Sequence, residues 1–242
     1  MPGTPTAVFM RFLRRPLIGL IGVGATAGLT ALRVHLRREW SLYLLHRRGC
    51  VQAHRFLGDS PPRLHLGCGN VYKSGWVNID AYNTPPCQPD LMLDLRQALP
   101  FPDGSCAEVY SEHFFEHISY PEGAEANLRE TLRVLRPGGR VSIGVPDPIP
   151  VLTAYLEGKT SPYFDYFFNH FSVHRHLHTP MEAVNWLFRQ GGEHQFVYDY
   201  PSLEKMLITA GFEHVARRQF DPTRDSEARR HETIYVDADK PR

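Results

Sequence analysis

The sequence predicts an α/β fold built on a mostly parallel sheet with helices on its faces. Three observations carry this reading. Strand-like and helix-like segments alternate through residues 62–147. The first apolar run stops abruptly at Gly67-Cys68-Gly69, as a buried strand does when it hands over to a tight turn. Arg133-Val134-Leu135-Arg136-Pro137-Gly138-Gly139 closes an amphipathic segment just ahead of another apolar run.

In order, residues 63–66 form the first strand and 76–80 the second, which ends in Asp80. Residues 91–94 form the third, ending in Asp94, and 107–111 the fourth, ending in polar residues. A helix follows, with Ala124, Leu128, Thr131, Leu132 and Leu135 on one face. Arg133 and Arg136 complement its dipole and Pro137-Gly138 stops it. Residues 139–145 form the fifth strand. Leu203, Met206, Leu207 and Ala210 mark a helix closed by Gly211, and residues 212–220 and 233–236 read as strands. Between the last two, residues 221–231 read as a highly charged, mobile loop. Each parallel strand thus ends in groups able to bind something polar, where open α/β sheets place their ligand crevice.

Composition is that of an ordinary globular protein, with 42% hydrophobic and 22% charged residues. The net charge of +1 carries no global signal for a polyanion, and no nucleic-acid partner is expected. The charge is unevenly placed: residues 1–50 hold eight Arg and one acid, Glu39, hence +7 there and −6 on the remainder. Four scattered Cys without a Cys-x-x-Cys pair suit neither a disulfide framework nor a zinc ribbon, which points to a reducing, cytoplasmic setting.

Residues 1–55 form a basic, apolar arm and 56–242 the main domain. The uncharged run 17–32 is shorter than the ~20 residues of a spanning helix. Leu36, Trp40, Tyr43 and Leu44 then share a helical face amid arginines. Residues 11–48 therefore read as a peripheral anchor on an anionic membrane surface, at its inner face. A bland, partly disordered arm and a cleaved export signal are the alternatives.

Six ordered motifs carry a family resemblance. They are Leu-His-Leu-Gly-Cys-Gly-Asn (64–70), Trp-Val-Asn-Ile-Asp (76–80), Leu-Asp-Leu (93–95), Leu-Pro-Phe-Pro-Asp-Gly-Ser (99–105), Ser-Glu-His-Phe-Phe-Glu-His-Ile (111–118), and Arg-Val-Leu-Arg-Pro-Gly-Gly (133–139) followed by Val-Pro-Asp (145–147). Together they resemble a class I S-adenosylmethionine-dependent methyltransferase. More narrowly, they resemble the small bacterial enzymes of the type 11 kind associated with polysaccharide and glycosyl-transfer genes.

The resemblance implies a Rossmann-like, mostly parallel seven-stranded sheet whose last strand is antiparallel. S-adenosylmethionine would be the co-substrate, with no metal. Gly67, Cys68 and Gly69 would line its methionine and ribose portion, Asp80 would hold the ribose hydroxyls, Asp94 and Leu95 would sit at the adenine, and Ser111 and Glu112 would border the methionine and sulfonium. The acceptor would be a small molecule or a sugar or lipid-linked glycan, methylated at oxygen. Asp80 follows Gly69 by eleven positions, against about 20 for the usual ribose acid. Either the first crossover helix has shrunk, or Asp80 is not the equivalent of that acid; the short form fits the pattern of the narrower group.

His113-x-x-Glu116-His117 also matches the zinc motif of inverzincins, in which two histidines share a helical face. The competing readings make Glu116 and His117 a cap for the next helix and place His113 at the catalytic mouth. Residues 148–199 form an aromatic- and histidine-rich insertion that would act as an acceptor lid, or simply pack as a small core. His174, His176 and His178 alternate within it, and Gly191-Gly192-Glu193-His194 can turn His194 inward. His113 and His194 are the candidate bases. A non-catalytic S-adenosylmethionine-binding module is the alternative of a different class.

Overall fold

The computed structural model describes residues 23–158, 164, 168–169 and 177–242, with side chains from residue 28 onward. The chain divides into two compact units, one ending at Leu44 and one running from Leu45 to Arg242. Helix α1 (Val23–Ala53) begins in the first and ends in the second. Leu29, Leu32, Leu36, Trp40, Tyr43 and Leu44 are exposed along it, and Trp40 stacks on Tyr43. Among the described residues no helix is long and apolar enough to cross a membrane. Residues 17–22 of the apolar run, and His174 and His176, lie outside the described residues.

The second unit is organised by seven strands: β1 (Arg63–Leu66), β2 (Val77–Asp80), β3 (Leu91–Met92), β4 (Cys106–Glu112), β5 (Leu135–Pro146), β6 (Glu213–Arg218) and β7 (Thr233–Asp239). Their order is β3-β2-β1-β4-β5-β7-β6. Neighbours from β3 to β5 pair in parallel, while β7 runs antiparallel to both β5 and β6. Apolar residues of the inner strands, such as Leu64, Leu66, Ile79, Val109, Ile143 and Val236, are fully or almost fully buried. β1 lies between β2 and β4, so chain direction across the sheet reverses beside it, which opens a crevice at the carboxyl ends of β1 and β4.

The expected alternation of strand and helix begins only after β4. The connections 67–76, 81–90 and 93–105 contain turns and no helix, so the first crossover has shrunk as its length requires. Buried side chains satisfy the backbone that a helix would have satisfied by itself. Asn78, fully buried on β2, accepts from the Lys73 amide (2.8 Å) and from His65 Nδ1 (3.0 Å) and donates to the Lys73 carbonyl (2.9 Å). Asp90 closes the same network by accepting from the amide of Asn78 at 2.8 Å.

Helix α2 (Glu122–Val134) presents Ala124, Leu128, Thr131 and Val134 to the sheet and passes directly into β5. Pro137-Gly138 therefore does not stop it. Those residues lie in a bulge of β5, where the register to β4 jumps between the Cys106–Leu135 and Glu108–Arg140 pairs. Nor does Arg133 serve the helix dipole alone. It donates to the carbonyls of Leu99 and Phe101 (both 2.8 Å) and pairs with Asp103 and Glu130, which pins the connection entering β4.

Helices α3 (Ile149–Glu157) and α4 (Pro180–Arg189) pack into a small second core of Val151, Ala154, Phe164 and Ala183, with Phe168, Leu177 and Trp186 against it. The aromatics of the insertion thus form, in part, a mini-core. Helix α5 (Tyr200–Ala210), capped by Asp199 and closed by Gly211 at φ +99°, buries Leu203 and Leu207.

Residues 221–231 are the clearest departure from expectation. Arg224 and Asp225 are paired instead of solvated, while Glu227 and Arg230 pair at the surface. Arg224 bridges Glu108 and Asp237, Asp225 receives Arg218 and the Tyr110 hydroxyl, and Lys73 donates to the Arg224 carbonyl.

Candidate active site

The carboxyl ends of β1 and β4 bring two turns together. After β1, Gly67 and Gly69 adopt φ of +64° and +51°, a region that side chains rarely tolerate. A Cβ at Gly67 would collide with the ring of Phe114 from the turn after β4, whereas a Cβ at Gly69 would meet nothing within 4 Å. Gly67 is thus glycine for packing, and Gly69 leaves its backbone open to approach. Cys68 points inward, its sulfur 3.8 Å from that of buried Cys87, so only its backbone faces the turn.

Asp80 ends β2 and ties the turn down. Its Oδ2 accepts from the Gly69 amide at 2.9 Å and its Oδ1 from the Tyr82 amide at 3.0 Å. Each oxygen keeps a lone pair for a further donor. Asp94 differs. Arg96 grips both of its oxygens (2.9 and 2.8 Å), and although burial works against ionisation these bonds hold its carboxyl below the usual range. Leu95 is buried beside it and its carbonyl accepts from Asn127.

Ser111 and Glu112 point to opposite faces of β4 by strand alternation. Ser111 is buried between Leu66 and Ile143 in the sheet. The Glu112 carboxylate is buried and occupied: it accepts from the Tyr235 hydroxyl (2.8 Å) and the Ser226 amide (3.2 Å), with Arg229 at 3.6 Å.

His113 follows with φ +53°, an uncommon conformation for a residue with a side chain. Its amide donates to the Gly144 carbonyl at 2.8 Å. Its Nε2 meets the Thr233 hydroxyl at 2.8 Å, and that hydroxyl donates to the Arg229 carbonyl at 2.7 Å. The hydroxyl must then accept from His113, which puts the proton on Nε2 and leaves a lone pair on Nδ1. That Nδ1 lies 4.0 Å from Glu116 Oε1. Burial lowers the His113 pKa well below its ordinary value, reinforced by Arg229.

Glu116 sits in a single 3-10 turn, Phe115–His117, so the inverzincin helix with two histidines on one face is not formed. The residue is 1% exposed, neither carboxyl oxygen has a hydrogen-bond partner, and burial pushes its pKa up to about 8. His117 Nε2 lies 3.9 Å from it. The His194 ring meets that of His117 edge-on at 4.9 Å, so the insertion does turn His194 inward. Burial lowers the pKa of both rings. Of the two candidate bases, His113 and His194 therefore belong to one cluster, and Glu116 and His117 complete it. Only the His-x-x-Glu-His spacing signalled the last two.

Residues 77–143, from the start of β2 into β5, match the family model described as a methyltransferase domain. The chain has the class I methyltransferase fold. The strand order, with an antiparallel β7 between β5 and β6, is the fold of that class.

Among solved structures, the chain is similar to an S-adenosylmethionine-dependent methyltransferase from Methanosarcina mazei (16% identity, TM-score 0.46, covering 78% of this chain and 96% of that one). It is also similar to one from Archaeoglobus fulgidus (15% identity, TM-score 0.47, covering 78% and 90%). A third is phosphoethanolamine N-methyltransferase 2 of Haemonchus contortus (12% identity, TM-score 0.43), where the match covers 81% of this chain but 53% of that one. No curated protein matches the sequence.

Proposed function

We propose that the enzyme transfers the methyl group of S-adenosylmethionine to an oxygen of a small-molecule, sugar or lipid-linked glycan acceptor, in the crevice between the ends of β1 and β4. The observation that carries this reading is the Asp80–Gly69 bond. It fixes an open-backed glycine turn beside a carboxylate with free lone pairs, which suits a ribose and a sulfonium tail.

In this reading the backbone of Gly67, Cys68 and Gly69 lines the methionine and ribose. Asp80 accepts the ribose hydroxyls, Asp94 and Leu95 wall the adenine, and Ser111 borders the methionine. Glu112 acts at one remove, by holding the end of β4 through Tyr235 and Ser226. The acceptor oxygen attacks the methyl carbon in line, the carbon–sulfur bond breaks toward sulfur, and S-adenosylhomocysteine leaves. The sulfonium is already activated, so the protein contributes mainly proximity and orientation. The acceptor proton passes to the imidazole cluster, where His113 and His194 each keep a ring lone pair.

The exposed stripe from Leu29 to Leu44 and the arginines of residues 11–48 support docking on an anionic membrane, at the cytoplasmic face. Sedimentation with anionic vesicles, comparing the full chain with one starting at Val51, checks this; equal recovery of both would end the idea.

The enzymatic reading is tested by titrating S-adenosylmethionine calorimetrically and by following labelled methyl into fractionated extracts. Saturable binding and labelling of a glycan or lipid fraction are expected. Absence of binding overturns the reading, and binding without transfer to any fraction favours a non-catalytic module.

A further inference from the structure

We propose that Glu116, His117 and His194 form a binding site for a divalent transition-metal cation at the end of β4, with His113 at its edge. The ligand atoms of the three residues all lie within 4.8 Å of one another. Drawing them onto one ion at bond lengths of about 2.0–2.2 Å takes a contraction on the order of 1 Å.

The proton positions make these atoms ligands. His194 Nδ1 donates to the Leu187 carbonyl (2.6 Å) and His117 Nδ1 to the Glu193 carbonyl (3.2 Å). Each ring is thereby held in the tautomer whose Nε2 carries a lone pair. A backbone carbonyl on the far nitrogen is the usual outer support of a metal-bound histidine. His113 adds a third lone pair, on Nδ1, facing Glu116 Oε1.

Glu116 supplies the second, independent observation. Both of its oxygens are buried and lack a hydrogen-bond partner. Burying a carboxyl group that way is costly, and two ring nitrogens without protons on the facing side lie 3.9 and 4.0 Å from its Oε1. Once the carboxyl group is ionised, lone pairs face lone pairs and repel, and a cation between them turns that repulsion into attraction. The two segments are also locked together, because the Glu116 carbonyl accepts from the amides of Gln195 (2.8 Å) and Phe196 (3.3 Å).

Two imidazoles and one carboxylate suit zinc and its neighbours better than calcium or magnesium, which prefer all-oxygen sets. Three protein ligands leave a position open for an outside oxygen. The arrangement differs from the inverzincin pattern: Glu116 is a ligand, and His194, contributed by the insertion, takes a place that sequence spacing would assign to His113. The same nitrogens cannot be ligands and proton acceptors at once, so metal binding separates the two roles.

The test uses the full-length protein, stripped with chelator and titrated with Zn²⁺ against a chromophoric competitor, then with Co²⁺ by visible absorption. One equivalent is expected, with a Co²⁺ d–d spectrum of low symmetry. His117→Ala and His194→Ala should each weaken binding at least about tenfold, while H214A, at an exposed histidine with 77% of its side chain accessible, should not. Circular dichroism checks the fold, and H194Q serves if the alanine variant unfolds. Absence of a stoichiometric site, or equal affinity in wild type and the folded variants, overturns the proposal. S-adenosylmethionine titration on the same samples reads the methyl-transfer proposal separately.

Discussion

Asp80 Oδ2 accepts a hydrogen bond from the amide of Gly69 at 2.9 Å, joining the end of β2 to the turn that follows β1. An acid and a glycine from adjacent strands thus act as one unit. Asp80→Asn keeps an oxygen for the amide but loses the charge, and Asp80→Ala loses both. Hydrogen bonds to charged groups contribute about 1.5–3 kcal/mol. D80A is therefore expected to weaken S-adenosylmethionine binding by roughly 10–100-fold, with D80N between it and the wild type. Isothermal titration measures this.

The two glycines of the turn should separate stability from binding. Gly67→Ala drives a methyl group into Phe114 and is expected to cost about 2–4 kcal/mol in urea unfolding. Gly69→Ala meets no atom and should cost about 1 kcal/mol, for its positive φ alone. G69A should nevertheless lose cofactor affinity, because its methyl group stands where the ligand approaches. Equal binding by G69A and wild type would place the cofactor elsewhere.

His65 gives the fold an acid sensitivity. Burial lowers its pKa from 6.5 to about 4, so between these values the unfolded chain binds a proton that the folded chain does not. Stability is then present in full above pH 6.5 and falls as pH drops toward 4, by about 3 kcal/mol in all. Glu116, raised to about 8 by burial, slopes the other way and cancels in a comparison. Urea midpoints of wild type and H65N, measured from pH 7 to pH 4.5, should converge as pH falls.

Glu112 should prove to be a structural clamp. Glu112→Gln leaves one acceptor for Tyr235 and Ser226 and removes the charge facing Arg229. Unfolding is expected to be easier by about 1–3 kcal/mol. Protease cutting within 221–231 should accelerate, while the cofactor dissociation constant moves less than in D80A. A larger change in affinity than in D80A would put the Glu112 carboxylate on the cofactor.

The sheet was legible because its strands are apolar runs that stop at Gly67, at Asp80 and, for β3, at Met92, two residues short of Asp94, and burial on both faces writes that pattern directly into sequence. The charged loop was not. Asp225 and Arg224 look solvated in one dimension, and only the return of β7 between β5 and β6 brings Arg218, Glu108 and Asp237 to them. Asp94 was legible as an acid at a strand end, but not as the partner of Arg96 two residues on. His113 and His194 were each visible as candidates. Their meeting around Glu116 depends on how the insertion folds back, which no local spacing encodes.

The placement of β7 has a consequence for biosynthesis. Thr233 and Tyr235 hold His113 and Glu112 in place, and Arg229 backs both. A nascent chain that has emerged only through Pro146 already owns the glycine turn, Asp80 and the whole parallel half of the sheet. It does not yet own the residues that fix the end of β4. The glycine turn and Asp80 can take their places during translation, whereas the Glu112–His113 end of β4 is fixed only when β7 slides in between β5 and β6.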